Sequence, residues 1–512
     1  MRLTLALSAG LAQAASLAWP LPAVAPQSLG LRPGQPLWWL QLLALALLVA
    51  LLQQSRTWRA AALLGWTFSL AWLTGTVGWT FIAMNTYGGL PTLVSALAVL
   101  ALTGLMSLFY ATVCALFVAL RQARGGSAPV VFAALWTLAE LARGTWLTGF
   151  GWGASGYAHV EGPLAAYAPW IGVYGLSALS AWLAAALVGV HGRRNQVRSR
   201  LAPLVMLGMS LCLAWVGPEY SRSGGYLGVT LLQGNIAQDE KFEAGTGIPQ
   251  ALQWYGEQLK SSRTSLVIAP ETAIALLPQQ LPPGYWQALR QRFGSGPQAA
   301  LIGMPLGDNA QGYTNSVVAL APDQSTPWRY DKQHLVPFGE FIPRFFKWFT
   351  AMMNIPLGDF KRGEARQLPF SWQGQKLAVN ICYEDLFGEE LAGQFAEPAL
   401  IPSIFVNVSN LAWFGNGLAM HQHLQIARMR ALEFERAFVL STNTGISAMV
   451  DHRARVLNSL AHDERSVLVG QVEGRTGLTP YAWWMGRLGL WPLWLLALTL
   501  ILSAARSRQK SR

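Results

Sequence analysis

The sequence predicts two kinds of structure in one chain: a helical domain that crosses a membrane several times and an α/β domain outside the cytoplasm. The first observation is that 52% of the 512 residues are hydrophobic and only 12% are charged. A soluble protein carries about 25% charged residues. The second is that long apolar runs flank a central segment, residues 218–487, in which strand-like and helix-like stretches alternate. The third is the uneven distribution of charge between these parts.

Eight apolar runs approach the roughly 20 residues that a helix needs to cross a bilayer. They lie near residues 5–25, 36–53, 59–84, 91–120, 128–147, 164–190, 201–217 and 488–505. We therefore expect seven transmembrane helices in residues 1–217, and an eighth followed by a basic tail in residues 488–512. Arg2 and the small residues at 12–15 also fit a cleavable secretory signal. The run continues past that point, which favours a retained membrane anchor.

The positions of the charged residues predict the orientation. The net charge is +12, yet residues 218–487 carry 22 Lys and Arg against 23 Asp and Glu. With a cytoplasmic N-terminus, the short cytoplasmic segments hold 13 basic residues, and the other side, outside the large segment, holds only Arg32 and Arg143. Basic residues concentrate in cytoplasmic loops, so residues 218–487 are expected outside the cytoplasm and both termini inside. A nearly neutral central segment argues against nucleic-acid binding.

Two charged residues lie near the outer end of the fifth apolar run. Glu140 and Arg143 are three residues apart, a spacing that suits an ion pair along one helix. Ionisable residues in a membrane span also suit contact with a substrate headgroup. Both interpretations stay open at this point.

The central segment reads as a single α/β domain. Strands are expected near Leu227–Leu232, Ser265–Ile268, Ala299–Ile302, Ser316–Leu320, Leu377–Ile381, Ala399–Val408, Val439–Ser441 and Ser466–Gln471. Helices are expected near Ile248–Leu259, Gly284–Phe293, Glu389–Gln394 and Ala419–Glu435. Such alternation over 270 residues is typical of an α/β domain. Residues 341–360 differ, because six aromatic residues surround Arg344 and Lys347. A buried helix and a membrane-facing lid both explain them, and the bilayer interface suits this composition.

Three residues of the central segment follow or neighbour expected strands and could carry chemistry. Cys382 comes directly after the apolar run that ends at Ile381, where a turn into a helix exposes a sulfur to backbone N–H groups. Glu271 follows another strand and Pro270. Lys332 is one of only seven lysines. Taken singly, each has an ordinary alternative: a small buried cysteine or a solvated surface charge.

Taken together, the motifs resemble those of the nitrilase, or carbon–nitrogen hydrolase, superfamily and its Glu-Lys-Cys triad. They are Pro270-Glu271-Thr272-Ala273, then Tyr330-Asp331-Lys332 with His334-Leu335-Val336-Pro337-Phe338-Gly339-Glu340, then Cys382-Tyr383-Glu384. Seven spans before such a domain and one after it are similar to the bacterial apolipoprotein N-acyltransferase family. The resemblance implies an αββα sandwich for residues 218–487. Departures from the family pattern occur at Ala269, Phe242 and Leu411.

The resemblance also implies residue roles. Glu271 would be the general base, Cys382 the nucleophile, and Lys332 with the N–H of Tyr383 the oxyanion stabiliser. Glu340 and Glu384 would orient Lys332 or tune the site. Further substrate contacts are expected from Phe242, Phe346, Trp348 and Arg143.

The implied reaction takes the sn-1 acyl chain of a membrane glycerophospholipid, expected to be phosphatidylethanolamine, onto Cys382. The acceptor is the α-amino group of a diacylglyceryl-cysteine at the start of an apolipoprotein, at the bacterial inner membrane. One nucleophile serving two substrates implies a ping-pong order, and no cofactor or metal motif is found. Two rivals remain: a membrane-anchored amidase or nitrilase that releases the acyl group to water, and a non-enzymatic transporter or scaffold. The transporter predicts ionisable residues in several spans, and only the Glu140 region has them.

Overall fold

The computed structural model describes residues 1–20, 30–120, 128–189, 196–322, 326–342 and 360–509. The chain divides into two compact units. The helical unit comprises Met1–Thr80, Thr92–Glu219 and Arg487–Arg512, and the α/β unit comprises Phe81–Pro91 and Tyr220–Gly486. The chain passes between the units at Glu219–Tyr220 and at Gly486–Arg487, and the division expected from the sequence stays a prediction.

A helix occupies each of the eight apolar runs. In chain order, the first seven are α1 Arg2–Leu17, α2 Trp38–Gln53, α3 Trp58–Val77, α4 Thr92–Leu120, α5 Ala128–Thr145, α6 Ala168–Leu187 and α7 Gln196–Val216. Within the described ranges, four helical stretches are long and apolar enough to cross a membrane: those of α3, α4, α5 and α6. A bent pair at the C-terminal end makes up to five. The number of spans thus remains a prediction.

The segment after α3 differs from the expectation. The apolar run was expected to continue as one span to residue 84, but α3 ends at Val77, and Phe81–Pro91 belongs to the α/β unit. A π-helical turn, Ala83–Tyr87, forms there, and the Tyr87 ring lies edge-on to Trp413 at 5.6 Å. The end of the expected span therefore belongs to the α/β unit.

Among the described residues of the α/β unit, twelve strands build two six-stranded sheets. The strands are β1 Ser221–Gln233, β2 Leu266–Ala269, β3 Ala299–Asp308, β4 Gly312–Leu320, β5 Trp328–Asp331, β6 Phe370–Trp372, β7 Gln375–Ile381, β8 Ile404–Ser409, β9 Ala437–Thr442, β10 Ala448–Val450, β11 Val456–Ser459 and β12 Ser466–Gly477. The first sheet has the order β12-β1-β2-β3-β4-β5 and the second β11-β10-β9-β8-β7-β6. Parallel strands form the middle of each sheet, β1-β2-β3 and β7-β8-β9, with antiparallel strands outside.

The two sheets face one another and carry helices on their outer surfaces. Ser441 on β9 donates hydrogen bonds to the backbone oxygens of Leu232 and Ile268 on the other sheet. The helices of this unit are α8 Gly247–Ser261, α9 Tyr285–Gly294, α10 Gly388–Ala392, α11 Leu418–Phe434 and α12 Pro480–Leu488, followed by α13 Trp491–Gln509, which returns to the helical unit. Helices α8 and α9 pack against the first sheet, and α11 packs against the second. This αββα layering confirms the predicted fold class.

The helices bury one face because their apolar residues recur at helical spacing. On α8, Ala251, Leu252, Tyr255 and Leu259 are buried against the strand residues Val267 and Ala269. The strands of the parallel core are buried on both faces, as expected for strands covered on both sides. The layers are thereby fixed, and the carboxyl ends of β2 and β7 hold the residues considered next.

Candidate active site

Cys382 lies on a sharp turn at the carboxyl end of β7. Its backbone has φ +53°, a left-handed conformation that costs a non-glycine residue free energy. Buried hydrogen bonds hold the turn: Asn407 Nδ2 donates to the Cys382 carbonyl oxygen at 2.9 Å, and the Ile381 N–H donates to the Glu384 carboxylate at 2.6 Å. The turn continues as one 3₁₀ stretch, Cys382–Leu386. A strained, well-anchored turn of this kind presents a side chain at the end of a strand.

Glu271 and Lys332 meet at the same edge of the α/β unit. Glu271 follows β2, and Lys332 follows β5. Lys332 Nζ lies 3.3 Å from Glu271 Oε1 and 2.9 Å from Glu340 Oε1. The lysine is 1% exposed, so two carboxylates neutralise a charge that would otherwise be costly to bury. Glu340, which was expected to orient Lys332 or tune the site, thus contacts its ammonium.

Asparagines hold the two carboxylates in place. Asn315 on β4 donates through Nδ2 to Glu271 Oε1 at 2.7 Å and to Glu340 Oε1 at 2.8 Å. The Asn410 N–H donates to the other oxygen of Glu271 at 3.0 Å. The sequence analysis missed both residues. The only signal for Asn315 was a polar side chain at a buried position in a strand that is otherwise largely apolar toward its end.

The charges around Cys382 define its resting state. Burial and the Glu271 carboxylate raise the pKa of the Cys382 thiol well above its usual range, against the opposing effect of Lys332. Burial opposes the charge on Lys332, but Glu271 and Glu340 outweigh it and raise the pKa of the ammonium. The resting pair is therefore a protonated thiol beside a charged lysine. Such a thiol needs a base at the moment of attack, because the thiolate is the nucleophile.

A second buried lysine, Lys241, also lies in this cluster. Its Nζ donates to the backbone oxygen of Glu271 at 3.1 Å, and the residue is 1% exposed. Burial lowers the pKa of Lys241 to about 8, although Glu271 and Cys382 act in the opposite direction. The ammonium is therefore charged at neutral pH and fixes the backbone of Glu271. No role for Lys241 was predicted from the sequence.

Glu384 connects the cysteine turn to the segment after Lys332. Its carboxylate accepts hydrogen bonds from the Ile381 N–H, the Tyr330 hydroxyl at 2.9 Å, the Gln333 N–H at 2.6 Å and the His334 N–H at 3.0 Å. Burial raises the pKa of Glu384 to about 7. Glu384 was expected to orient Lys332 or tune the site. Its carboxylate instead binds the backbone N–H groups of the two residues that follow Lys332 and the hydroxyl of Tyr330.

The remaining predicted site residues lie in different surroundings. The Tyr383 ring packs near His334 and Phe387, with centroids 5.5 and 5.1 Å away. Phe242 directly follows Lys241 and is half-buried. Phe346 and Trp348, with most of residues 341–360, lie outside the described residues. Their predicted contact with substrate therefore stays a prediction.

Arg143 lies inside the helical unit. It is 2% exposed and donates to the Tyr110 hydroxyl at 3.0 Å and to the backbone oxygens of Phe150 and Trp152, each at 2.7 Å. Glu140, also buried, accepts hydrogen bonds from the N–H and hydroxyl of Ser155 and the hydroxyl of Ser177. Both side chains thus cross-link segments of the helical unit, and a role for Arg143 in substrate binding stays a prediction.

The described residues contain no group of three His, Cys, Asp or Glu side chains that could hold a metal ion. What the cluster offers is a thiol, a carboxylate that accepts protons, and a buried ammonium. These are the groups that acyl transfer through a thioester requires.

Both units match known protein families. Residues 228–481 match the family model of the carbon–nitrogen hydrolases, and residues 26–186 match that of the apolipoprotein N-acyltransferase N-terminal domain. The α/β unit is therefore a carbon–nitrogen hydrolase domain, the class to which the Glu-Lys-Cys motifs pointed.

Relatives that match nearly the whole chain show which family within this class it belongs to. The apolipoprotein N-acyltransferase of Verminephrobacter eiseniae is 52% identical over 509 residues, covering 95% of this chain and 92% of the relative. That of Ralstonia nicotianae is 42% identical over 479 residues, covering 92% and 90%. That of Bordetella bronchiseptica is 39% identical over 545 residues, covering 96% and 98%. The chain belongs to the apolipoprotein N-acyltransferase family.

Proposed function

We propose that this membrane protein N-acylates apolipoproteins in two steps through a thioester on Cys382. Family membership supports the overall reaction. The observation that carries the mechanism is the Lys332 ammonium, which lies 3.3 Å from Glu271 and 2.9 Å from Glu340 and interacts electrostatically with Cys382 on its strained turn. No cofactor takes part in the proposed steps.

The first step forms the acyl-enzyme. Glu271 takes the Cys382 proton while the sulfur attacks the carbonyl carbon of a phospholipid ester. Lys332 and the Tyr383 N–H stabilise the oxyanion of the tetrahedral intermediate, where one donor is typically worth about 10²–10³ in rate. As the intermediate collapses, the ester C–O bond breaks and Glu271 returns the proton to the leaving alkoxide. A lysophospholipid departs, and the acyl group stays on sulfur.

The second step uses the same groups with the acceptor. Glu271 takes a proton from the α-amino group of the diacylglyceryl-cysteine as its nitrogen attacks the thioester. The C–S bond breaks, the amide forms, and the proton passes to the departing sulfur. One nucleophile thus serves both substrates in turn, which requires ping-pong kinetics.

The membrane setting of the reaction is proposed in the orientation that the positive charges predict. The domain of residues 218–487 would face the periplasm at the inner membrane, with both termini in the cytoplasm. Phosphatidylethanolamine is the proposed donor, through its sn-1 chain. Phe242, Phe346, Trp348 and Arg143 are the proposed contacts with donor or acceptor. A membrane enzyme is suited to these substrates because extracting an acyl chain into water costs about 0.8 kcal/mol per CH₂.

A chase experiment separates acyl transfer from hydrolysis. The full chain in detergent is incubated with phosphatidylethanolamine, freed of donor, and then given either buffer or a diacylglyceryl-cysteine lipopeptide. We expect the acyl adduct to persist in buffer and to move stoichiometrically to the lipopeptide amine. Rapid loss of the adduct to water, with free fatty acid and no lipopeptide product, would instead indicate an amidase-like hydrolase.

A further inference from the structure

A buried acid–imidazole pair lies behind the cysteine turn. Asp385 belongs to the turn itself, and His423 belongs to α11, which packs against it. His423 Nε2 lies 3.0 Å from Asp385 Oδ2, and the two side chains are 2% and 0% exposed. The proposed reaction uses neither residue. No role was predicted for either residue from the sequence.

The surroundings of Asp385 favour a charged His423. Among the described residues, no hydrogen-bond donor other than this imidazole faces either oxygen of Asp385. A buried carboxylate without a compensating charge is strongly unfavourable. A charged imidazole at 3.0 Å supplies that compensation.

Few other charges act on this pair. Strands β9 and β10, against which α11 also packs, carry no titratable residue. Glu271 adds a further favourable charge, and burial of the imidazole opposes these effects, with the net result that the pKa of His423 is raised. On α11 itself, Arg430 lies 3.1 Å from Glu433, so these two charges largely compensate each other.

The imidazole also reaches the nucleophile. His423 forms a hydrogen bond with the backbone of Cys382, the residue whose φ of +53° has to be held by its neighbours. Asn407 supplies another bond, to the carbonyl oxygen. We propose that Asp385 and His423 form a positioning pair that holds the Cys382 backbone in its strained conformation and so aims the sulfur and the following N–H at the reacting carbonyl. This role rests on the proposed thioester mechanism.

The charge on His423 gives the positioning pair a pH dependence. A histidine whose pKa is raised keeps its proton below that pKa and loses it as the pH rises through it. Above that point, Asp385 loses its counter-charge and the anchor on Cys382 weakens. Acylation of Cys382 should therefore decline on the alkaline side. Replacing Asp385 by Asn removes the group that sustains the charge, so the decline should begin at lower pH.

The test is a single-turnover measurement of Cys382 acylation by phosphatidylethanolamine in mixed micelles, across pH, with the full chain. Because no acceptor is present, its amine does not titrate in the assay. For Asp385→Asn we expect the alkaline midpoint to fall by about one pH unit or more. We also expect the maximal rate to fall roughly 10²-fold, as for a misplacement of about 1 Å. The donor concentration at half-maximal rate should be unchanged, because the pair touches no substrate.

A second variant keeps the proposal testable if Asp385→Asn fails to fold. His423→Gln keeps an amide donor but cannot titrate. Its residual rate should therefore lack the alkaline decline that the positioning pair causes and keep only the roughly tenfold decline near pH 8 that Lys241 gives. His421→Gln, two residues earlier on the same helix, is the matched control and should leave the decline in place. An alkaline midpoint unchanged in both Asp385→Asn and His423→Gln would overturn the proposal. The chase with lipopeptide can still succeed in that case, which would leave the proposed function intact.

Discussion

Replacing Glu384 by Gln tests how the site is held together. Four hydrogen-bond donors converge on its carboxylate, from Ile381, Tyr330, Gln333 and His334. A glutamine of the same shape accepts only through one oxygen and turns an NH₂ group toward the other donors. We expect the cysteine turn and the segment after Lys332 to lose their fixed spacing. The rate of Cys382 acylation should fall about 10²-fold.

The free energy of unfolding should change with pH in opposite directions for a carboxyl group whose pKa is raised and for one whose pKa is lowered by folding. Burial raises the pKa of Glu384 to about 7 from 4.5. The folded protein therefore holds a proton that the unfolded chain has released, and the wild type loses stability as the pH rises between these values. Integrating that difference from about pH 5 to about pH 8 gives roughly 2.5 kcal/mol. The variant has no such group, so its unfolding free energy should improve by that amount relative to wild type over the same interval.

Unfolding of the full chain in detergent, followed at both pH values, measures this difference. Glu397→Gln is the matched control, because Glu397 is 54% exposed in a surface ion pair with Arg366, and its variant should track wild type. The lost hydrogen bonds lower the stability of Glu384→Gln at both pH values, so only the change with pH is diagnostic. If Glu384→Gln were destabilised equally at about pH 5 and about pH 8, the raised pKa of the buried Glu384 carboxyl group would be refuted.

Three further variants test the ammonium groups and their partners. Lys332→Arg should lose at least about 10² in acylation rate despite its retained charge, because a planar guanidinium cannot take the place of an ammonium between two carboxylates; near-normal rates would remove Lys332 from the oxyanion role. Lys241→Met should acylate Cys382 roughly tenfold more slowly than wild type at about pH 7, because it loses a hydrogen bond from a charged group. Its rate should approach that of wild type well above pH 8, where the pKa of about 8 leaves Lys241 neutral. A rate difference that stays constant with pH would contradict this role. Asn315→Leu, which removes the donor shared by Glu271 and Glu340, should lower both the melting temperature and the rate, whereas Asn458→Leu on the exposed β11 should lower neither.

The sequence predicted the parts of the fold that periodicity marks. All eight expected strands are present. Six of them pair in parallel, and buried parallel strands read as continuous apolar runs: β1, β2, β3, β7, β8 and β9. The strands it missed, β5, β6, β10 and β11, have only three or four residues each, too few for a period to show. The stretch from Ala399 was expected to be extended throughout, but β8 begins at Ile404. Pro402, which has no N–H for a sheet ladder, marks the delay.

The candidate active site also has residues that the sequence predicted and residues that it did not. Glu271, Lys332, Cys382 and Glu340 could be predicted from the sequence because they lie in the motifs that carry the resemblance. Asn315, Lys241 and the Asp385–His423 pair carry no motif meaning alone. Their roles arise from contacts across 25 to 44 residues of sequence, such as Lys241 to Glu271, and only the folded chain brings such groups together.

The most direct test of the central claim is to identify the acylated residue. The full chain is incubated with phosphatidylethanolamine that carries a labelled sn-1 chain, and is then digested for peptide mass spectrometry alongside Cys382→Ala. The account predicts one acyl group on Cys382, released by neutral hydroxylamine as a thioester, and no adduct or transfer in the variant. An acyl group on another residue, or undiminished transfer by Cys382→Ala, would contradict it.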